Sequence, residues 1–583
     1  MPQASKQAFS FSQKPRDTKG KVAFGQFSDF AAPPDDALKV AFSRTAISGS
    51  GESVALSENA ASLRKSAIQL MRKVDADPLS LPKSLLQKSQ WRSALPLYVA
   101  FLEANPDSGE ALNGLGHCLL GLGNTEKALA AFAEAVQQAP TNPIYTADLG
   151  EAFEATGQLV VALECFAIAQ KLTPNEPSYV LRNARVLHAL GQLELGVQLL
   201  EVSVEAWPED PDITGCYASL LEAVGRSEDA LVQWQRALEQ APENSVTYAN
   251  FVAFRRPSEM AGFEEKLDAQ LAQRNAKSDE SRLRSAKVAA LEERGDYEAA
   301  YRNLQIANRR SFEMSDFDIA REERLFESLK AQFVNPSVIE IEELDATATP
   351  IFILGLPRSG SSLTETIIGR HSDVTQAGEL DYLAPLVKRL DLLSTPLELE
   401  QAVVLRERYL TLLSQSGSGR FITDKMPLNF RLIGHIATAM PQARIVHVYR
   451  DPKACCWSNF RHFFAGEGLG FTNDTKSLIR YFELYQDLMA FWHERFPERI
   501  IDVDYEALVA DPDAQIPQLI QLLGLDWQDA CLAPQDSANV VRTASQEQVR
   551  QKIYKGSALG WRKYEVQAGG WLSRLPDHQP IGG

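Results

Sequence analysis

The stretch Leu356-Pro-Arg-Ser-Gly-Ser-Ser-Leu-Thr364 decides the fold of the C-terminal half of this chain. It follows Thr349-Pro-Ile-Phe-Ile-Leu-Gly355, an apolar run with the β-branched and aromatic content of a buried parallel strand, and a helix is predicted from Leu363 to Arg370. Between a strand and a helix start, a turn rich in glycine and serine brings backbone N–H groups together at the positive end of the helix dipole. The sequence therefore predicts an α/β fold with an anion site in this loop.

One residue separates this loop from a nucleoside triphosphate site. Read from Gly355, it has the pattern G-x-x-x-x-G-S-S, a Walker A loop in which Ser361 replaces the lysine. Nucleoside triphosphatases need that lysine on the β- and γ-phosphates and Mg²⁺ on the next hydroxyl. The fixed charge here is Arg358, inside the loop, which suits a phosphate-linked group of lower charge and needs no metal. A kinase or triphosphatase is therefore not expected.

The loop resembles that of a known family. Pro357-Arg-Ser-Gly-Ser-Ser362 is similar to the 5′-phosphosulfate loop of sulfotransferases that use 3′-phosphoadenosine 5′-phosphosulfate (PAPS), above all in the protein-tyrosine sulfotransferase branch and its bacterial relatives. The resemblance implies a P-loop-like parallel sheet with helices on both faces, PAPS as co-substrate and no metal. The donor-binding residues that it implies in this loop are Arg358, Ser359, Gly360, Ser361 and Ser362.

A second anion contact is predicted where another strand ends. The β-branched run Ala443-Arg-Ile-Val-His-Val-Tyr449 leads to Arg450, and Asp451 and Pro452 suit the N-cap and the first position of a helix. Open α/β sheets bind their ligands at such strand ends. Ser458 lies about two helical turns beyond Arg450, and an arginine with a hydroxyl can hold a dianionic phosphate. The pair resembles the 3′-phosphate site of the family.

Two charged residues between these sites are the candidates for chemistry. Glu379 lies in a Gly-Glu pair that resembles the one in tyrosylprotein sulfotransferases, which implies that it is the general base for the acceptor hydroxyl. Lys425 lies in a Thr-Asp-Lys-Met-Pro segment that resembles the family's lysine motif, which implies that it stabilises charge on the bridging oxygen. Small-molecule sulfotransferases carry a histidine base beyond this lysine, and Met426–Phe430 contains none. Arg358 is the third catalytic residue implied.

Two further donor contacts are implied nearer the C-terminus. Tyr505 ends a strand in a Val-x-Tyr-Glu segment, where the tyrosine of the family approaches the nucleotide. Ser545 falls in a segment that resembles the lid over PAPS. The relatives have Lys-Pro at Gln551 and Lys552, so the basic contact of the lid stays open between Lys552 and Lys555.

The N-terminal half of the chain repeats with a constant period. Small residues, an aromatic or large apolar residue, and a proline recur in register, which is the signature of tetratricopeptide (TPR) helix pairs. Clear copies span residues 109–244, with weaker ones on either side. The recurring glycines are at 123, 157, 191 and 225, and the recurring prolines are at 140, 174, 208 and 242, so both recur every 34 residues.

The predicted organisation has four parts. A mobile tail at 1–57 precedes a TPR domain at 58–333, a linker at 334–348 and a sulfotransferase domain at 349–583. The fold class is thus an α solenoid followed by an α/β domain. Repeat arrays commonly bind extended peptides, which makes a protein or peptide the expected partner.

Composition excludes several other classes. The formal net charge of −17 argues against nonspecific nucleic-acid binding. We find no apolar stretch near the ~20 residues of a membrane span and no apolar signal segment at the N-terminus. The six cysteines are scattered without the spacing of a zinc site or a disulfide framework. We therefore expect a cytoplasmic protein.

The predicted function is transfer of a sulfuryl group from PAPS to a hydroxyl acceptor. The resemblance suggests a tyrosine or another hydroxyl on a peptide that the TPR array selects, while sugars, lipids and small phenols stay open as acceptors. The alternative is a TPR scaffold whose α/β domain is catalytically degenerate. The presence of Glu379, Lys425, Arg450 and Ser458 together favours the enzyme.

Overall fold

The computed structural model describes residues 77–273, 276–334, 348–393, 397–414, 416–417, 419–464, 468–536 and 555–579. The chain divides into two compact units, one formed by Met1–Leu190 and Gln198–Pro208 and the other by Gly191–Val197 and Glu209–Gly583. The predicted tail at 1–57 lies outside the described residues, as does the predicted linker except for its two ends. The predicted domain boundaries stay predictions.

Helices occupy residues 80–254 at the spacing that the repeats predict. The first helices of successive repeats begin at 109, 143, 177, 211 and 245, and the second helices begin at 125, 159, 193 and 227. Both series advance by the 34-residue period, which confirms the predicted TPR region. The helices are α1 Ser80–Gln87, α2 Trp91–Ala104, α3 Gly109–Gly121, α4 Thr125–Gln138, α5 Pro143–Ala155, α6 Leu159–Leu172, α7 Pro177–Ala189, α8 Leu193–Ala206, α9 Pro211–Ala223, α10 Ser227–Gln240 and α11 Ser245–Phe254.

Glycines explain why these helices pair so closely. A Cβ atom on Gly116 would lie 2.6 Å from the ring of Phe132, and one on Gly150 would lie 2.9 Å from the ring of Phe166. The paired helices therefore approach at a point where no side chain fits. Gly123, just after α3, has a φ of 76°, a left-handed conformation that glycine adopts without steric cost.

Four more helices precede the sheet. They are α12 Phe263–Leu271, α13 Lys277–Glu293, α14 Tyr297–Met314 and α15 Ile319–Gln332. Within the described part of the chain, every helix is too short or too polar to cross a lipid bilayer.

A five-stranded parallel sheet forms the centre of the C-terminal part. Its strands are β1 Thr349–Gly355, β2 Val374–Thr375, β3 Phe421–Asp424, β4 Arg444–Tyr449 and β5 Ile500–Asp504. Their order across the sheet is β2-β3-β1-β4-β5, and every neighbouring pair is parallel. The predicted α/β fold is confirmed, and all five carboxyl ends meet at one edge.

Helices alternate with these strands and follow them. They are α16 Ser361–Ile368, α17 Leu383–Arg389, α18 Leu399–Leu413, α19 Ile433–Ala439, α20 Pro452–Arg461, α21 Thr475–Arg495, α22 Tyr505–Ala510, α23 Pro512–Leu522 and α24 Glu565–Leu572. A run of 3₁₀-helix at Lys555–Tyr564 precedes α24.

The sheet has a separate apolar core on each face. Ile351 and Ile353 of β1 pack with residues of α16 and α23, whereas Phe352 and Leu354 face the opposite, larger core. That larger core also contains side chains of α13, α14 and α15, among them Leu304. The repeat pattern assigned these three helices to the TPR domain, and in the structure they share the core of the sheet.

Candidate active site

Each of the five strands leads into a residue that the sequence predicts for the site. Arg358 follows β1, Glu379 follows β2, Lys425 follows β3, Arg450 follows β4 and Tyr505 follows β5. Because the strands are parallel, these residues lie along one edge of the sheet, where open α/β sheets bind ligands. The strand topology therefore gathers positions that are up to 147 residues apart in the sequence.

The loop after β1 is held in a conformation that suits an anion. Gly355 has a φ of 142°, and a Cβ atom there would lie 2.3 Å from the carbonyl oxygen of Val448. Arg358 and Gly360 also have positive φ angles, of 68° and 107°. Gly360 is the N-cap of α16 and supplies no side-chain cap to its first N–H groups. This helix start is therefore available to an anion.

The remaining loop residues are enclosed. Ser359 is 1% exposed, and its hydroxyl has no hydrogen-bond partner among the described residues. Ser361 and Ser362 are buried at the start of α16. A buried hydroxyl without a partner is costly, which indicates that Ser359 is arranged to contact a bound group.

Tyr505 packs between the loop and the second arginine. A Cβ atom on Gly360 would lie 2.2 Å from the ring of Tyr505, so only glycine fits at this position. On the other side, the guanidinium of Arg450 lies 4.7 Å from the centre of the same ring, a distance at which a cation is attracted to an aromatic face.

Hydrogen bonds join the two predicted anion contacts directly. Nε of Arg358 donates to Oγ of Ser458 at 3.1 Å, and Nη1 of Arg450 donates to the carbonyl oxygen of Arg358 at 3.1 Å. Asp451 caps α20, as predicted, and its own N–H donates to Glu506 at 3.0 Å. The loop after β1 and the start of α20 are thus hydrogen-bonded to each other and carry two arginines, with Glu506 3.7 Å from Nε of Arg450.

Lys425 and Glu379 form an ion pair at the other end of this edge. Lys425 is 1% exposed, whereas 44% of the Glu379 side chain is exposed. The backbone N–H of Lys425 also donates to the carbonyl oxygen of Gly378 at 2.8 Å. The structure therefore pairs a buried lysine with a carboxylate that solvent can reach.

A buried acid that the sequence analysis missed supports this pair. Glu365 of α16 accepts hydrogen bonds from the backbone N–H of Gly378 at 2.8 Å and from the hydroxyl of Thr423 at 2.7 Å. Burial raises the pKa of Glu365, although Lys425 and these two donors oppose the shift. No spacing in the sequence marked it, because its role depends on where the chain places Gly378 and Thr423.

A second buried acid precedes the lysine. Asp424 is fully buried and accepts a hydrogen bond from the hydroxyl of Tyr409 at 2.8 Å. Burial raises the pKa of Asp424 to about 7, against the opposing effect of that hydroxyl. Lys425 therefore lies near three acidic side chains, those of Glu379, Glu365 and Asp424.

Two groups of side chains within the described ranges have the spacing of metal ligands. One is His447, His493 and Asp502, and the other is Asp504, Glu506 and His578. In the first group both imidazoles are hydrogen-bonded to the Asp502 carboxylate, at 2.6 Å and 2.8 Å. The candidate chemistry at Glu379 and Lys425 uses neither group.

Three residues of the predicted lid cannot be placed. Ser545 and Lys552 lie outside the described residues, and so does the side chain of Lys555. The lid stays a prediction.

Comparison with known proteins agrees with this geometry. Residues 350–529 match the model of the sulfotransferase family, and residues 83–143 match a tetratricopeptide repeat model. The resemblances to these two families are thus confirmed.

Curated relatives match over part of their length. An uncharacterized protein of Aquifex aeolicus is 33% identical over 294 residues, which are 47% of this chain and 38% of that protein. Protein-tyrosine sulfotransferase 1 of Danio rerio is 24% identical over 31% of this chain and 55% of its own length. The protein-tyrosine sulfotransferase of Drosophila melanogaster is 23% identical over 32% of this chain and 40% of its own. The chain thus spans about half or less of these relatives.

Solved TPR structures are similar to less than a third of this chain. The crystal structure of MamA has a TM-score of 0.26 and 18% identity, and it covers 29% of this chain and 98% of its own. YrrB, described as a TPR protein with an unusual peptide-binding site, has a TM-score of 0.24 and 19% identity over 30% of this chain and 90% of its own.

Proposed function

We propose that this protein, whose residues 350–529 form a domain of the sulfotransferase family, moves a sulfuryl group from PAPS to a hydroxyl acceptor. The observation that carries the proposal is the convergence of an anion-binding loop, a linked arginine and serine pair, and a lysine–glutamate pair at one sheet edge. PAPS supplies an activated sulfuryl group bound to a phosphate oxygen.

The residues at this edge fit such a donor. PAPS carries two separate anionic groups on one nucleoside, and the edge offers a helix start with Ser359 as well as Arg450 with Ser458. Arg358 precedes Ser359 in the loop and is hydrogen-bonded to Ser458 and to Arg450. Arginines and hydroxyls bind phosphate and sulfate oxygens through charge-assisted hydrogen bonds without a metal.

Glu379 and Lys425 have complementary roles in the proposed reaction. The exposed carboxylate of Glu379 accepts the proton of the acceptor hydroxyl as that oxygen attacks sulfur. Once Glu379 is neutral, its pairing with the Lys425 ammonium weakens. The lysine charge is then directed to the oxygen that leaves with the donor phosphate. Glu365 holds Gly378 and so keeps Glu379 beside Lys425.

The acceptor is a hydroxyl of a protein or peptide in this proposal. Two relatives are named protein-tyrosine sulfotransferases, so a peptide tyrosine is the first acceptor to test. The TPR region would select the peptide, because arrays of this type commonly bind extended segments. We keep the expectations of a cytoplasmic protein and of no nucleic-acid partner.

Two measurements test the function. Titration calorimetry with 3′-phosphoadenosine 5′-phosphate (PAP), with and without EDTA, should show binding that is independent of metal. Transfer of ³⁵S from labelled PAPS to tyrosine peptides, sugars and small phenols should identify the acceptor class. Failure to bind PAP would contradict the proposal. Binding of PAP without transfer to any acceptor would favour the alternative, a TPR scaffold with a degenerate domain.

A further inference from the structure

A cavity of about 330 Å³ adjoins the contact between Arg358 and Ser458. Besides the loop that carries Arg358, three segments contribute to its wall, namely the helix pair α13–α14, the helix α20 and the segment before α24. Neither Glu379 nor Lys425 lines it, so the cavity belongs to the proposed donor side of the site. The wall outside the sheet edge includes Glu292, Trp457, Arg461, Lys563 and Tyr564.

Glu292 joins these three segments. At the end of α13, its carboxylate accepts hydrogen bonds from Nε of Arg461 at 2.7 Å and from the hydroxyl of Tyr564 at 2.6 Å. A second nitrogen of Arg461 also contacts it, so the arginine binds in a bidentate manner. Burial alone would raise the pKa of Glu292, but Arg461 and Tyr564 bring it below its usual value. Glu292 is therefore ionised.

Packing around this carboxylate fixes the wall of the cavity. The centre of the Tyr564 ring lies 4.4 Å from the centre of the Trp457 ring on α20. From α14, Asn308 donates to the carbonyl oxygen of Phe460 at 2.7 Å. The helix pair is thus attached both to α20, which carries Ser458, and to the C-terminal segment.

The cavity is cationic and aromatic. Arg358, Arg461 and Lys563 contribute positive charge, and Glu292 is the carboxylate that opposes them. Burial and the two arginines lower the pKa of His462 to about 3, so this histidine adds no charge near neutral pH. Such a wall suits an aromatic base that carries phosphate groups.

We propose that Glu292 is a positioning residue of the donor pocket, through which the helix pair α13–α14 controls nucleotide affinity. This role of Glu292 rests on the proposed function. Without the carboxylate, Arg461 loses the partner that orients it three residues from Ser458, and Tyr564 loses the acceptor that fixes its ring in the wall. The helices that precede the sheet are then part of the donor site.

The test compares the affinity of the full-length protein for PAP and for AMP, which lacks the 3′-phosphate. We expect Glu292→Gln and Tyr564→Phe each to weaken PAP binding about tenfold, the usual effect of losing a hydrogen bond to a charged group, with a smaller effect on AMP. Glu292→Asp, which keeps the charge, should lose less. Glu298→Gln is the matched control, because Glu298 is exposed on α14 and pairs with Arg302.

The outcomes separate the two proposals. No PAP binding by the wild-type protein would refute the proposed function. If the wild-type protein binds PAP and both variants keep its affinity, the role of Glu292 is refuted and the proposed function stands. Partial unfolding lowers the active fraction equally for both nucleotides, so an unchanged PAP-to-AMP ratio would also refute the role. If Glu292→Gln does not fold, Tyr564→Phe decides.

Discussion

The helices at 109–254 and the helices α13–α15 follow one another in the chain, but they are held in place differently. In the first group, Gly116 and Gly150 each meet an aromatic side chain of the next helix, at equivalent positions of two successive repeats. In the second group, the apolar side chains enter the core of the sheet, and Glu292 reaches the cavity. The comparison teaches that helices of similar appearance can pack differently, one group along an array and the other into the core of the sheet and the wall of the cavity.

The largest expected effect separates chemistry from donor binding. Glu379→Gln keeps the shape of the side chain and removes the proton acceptor, so turnover should fall by about 10²–10⁴. The affinity for PAP should stay within a few-fold, in contrast to the effect of Glu292→Gln. Steady-state rates with labelled PAPS and calorimetry give both values. Glu400→Gln is the control, because Glu400 is exposed at the start of α18. Full activity of Glu379→Gln would show that another group takes the proton.

Next in size is the effect of removing the arginine of the loop after β1, which is hydrogen-bonded to Ser458. Arg358→Ala leaves the loop without its fixed charge, and we expect a loss of about 2–5 kcal/mol in the free energy of PAP binding. Calorimetry with and without EDTA measures it. Stronger binding of ATP than of PAP, or sensitivity to EDTA, would contradict the assignment of this loop.

A third experiment addresses the repeats alone. Gly116→Ala places a methyl group 2.6 Å from the ring of Phe132, so we expect a destabilisation of about 1–3 kcal/mol in thermal unfolding. Gly215→Ala is the matched control, because its nearest neighbour would be 4.0 Å away, and alanine in a helix interior is more favourable than glycine. Both variants should keep the PAP affinity of the wild type, and a loss of affinity in Gly116→Ala would erase the distinction between the two helical regions.

The smallest expected effect is a change in the pH dependence of stability, and it concerns Asp502 of β5. His447 and His493 lower the pKa of Asp502 to about 2 despite its burial, and the same pairing raises the pKa of His493. The Asp502 contribution to stability is therefore complete above its usual pKa of 3.8 and is lost as pH falls towards 2. The His493 contribution is complete below 6.5 and is lost as pH rises through its raised pKa.

Denaturant unfolding across this range tests the assignment. Compared with the wild type, Asp502→Asn should show a smaller stability gain between pH 2 and pH 4, by on the order of 1 kcal/mol. Identical pH profiles of stability for the two proteins would show that Asp502 does not contribute to this pH dependence.

Much of the fold was predictable because its signals are local. The repeat period and the strand, turn and helix around Arg358 can be read over a few tens of residues, and both predictions are confirmed. The positions of Arg450 and Tyr505 at strand ends were also predicted from their β-branched runs. The strands before Glu379 and Lys425 were not predicted, because β2 and β3 are only two and four residues long.

The supporting residues could not be predicted in the same way. Glu292 and Tyr564 are 272 residues apart, and no spacing rule connects them. Glu365 acts through its burial and its two donors, which depend on how β2 and β3 meet α16. Such contacts follow from tertiary packing, and a single sequence contains no local sign of them.

The strand order has a consequence for how the protein is made. β1 is the central strand, yet its neighbours β3 and β4 lie about 70 to 95 residues later in the chain. During synthesis, each repeat can fold as it leaves the ribosome, because its contacts are local. The apolar side chains of α13–α15 must wait for the sheet that covers them. Nascent chains stalled before Arg444 should therefore recruit chaperones and bind apolar dyes, and chains stalled after Asp504 should do so much less.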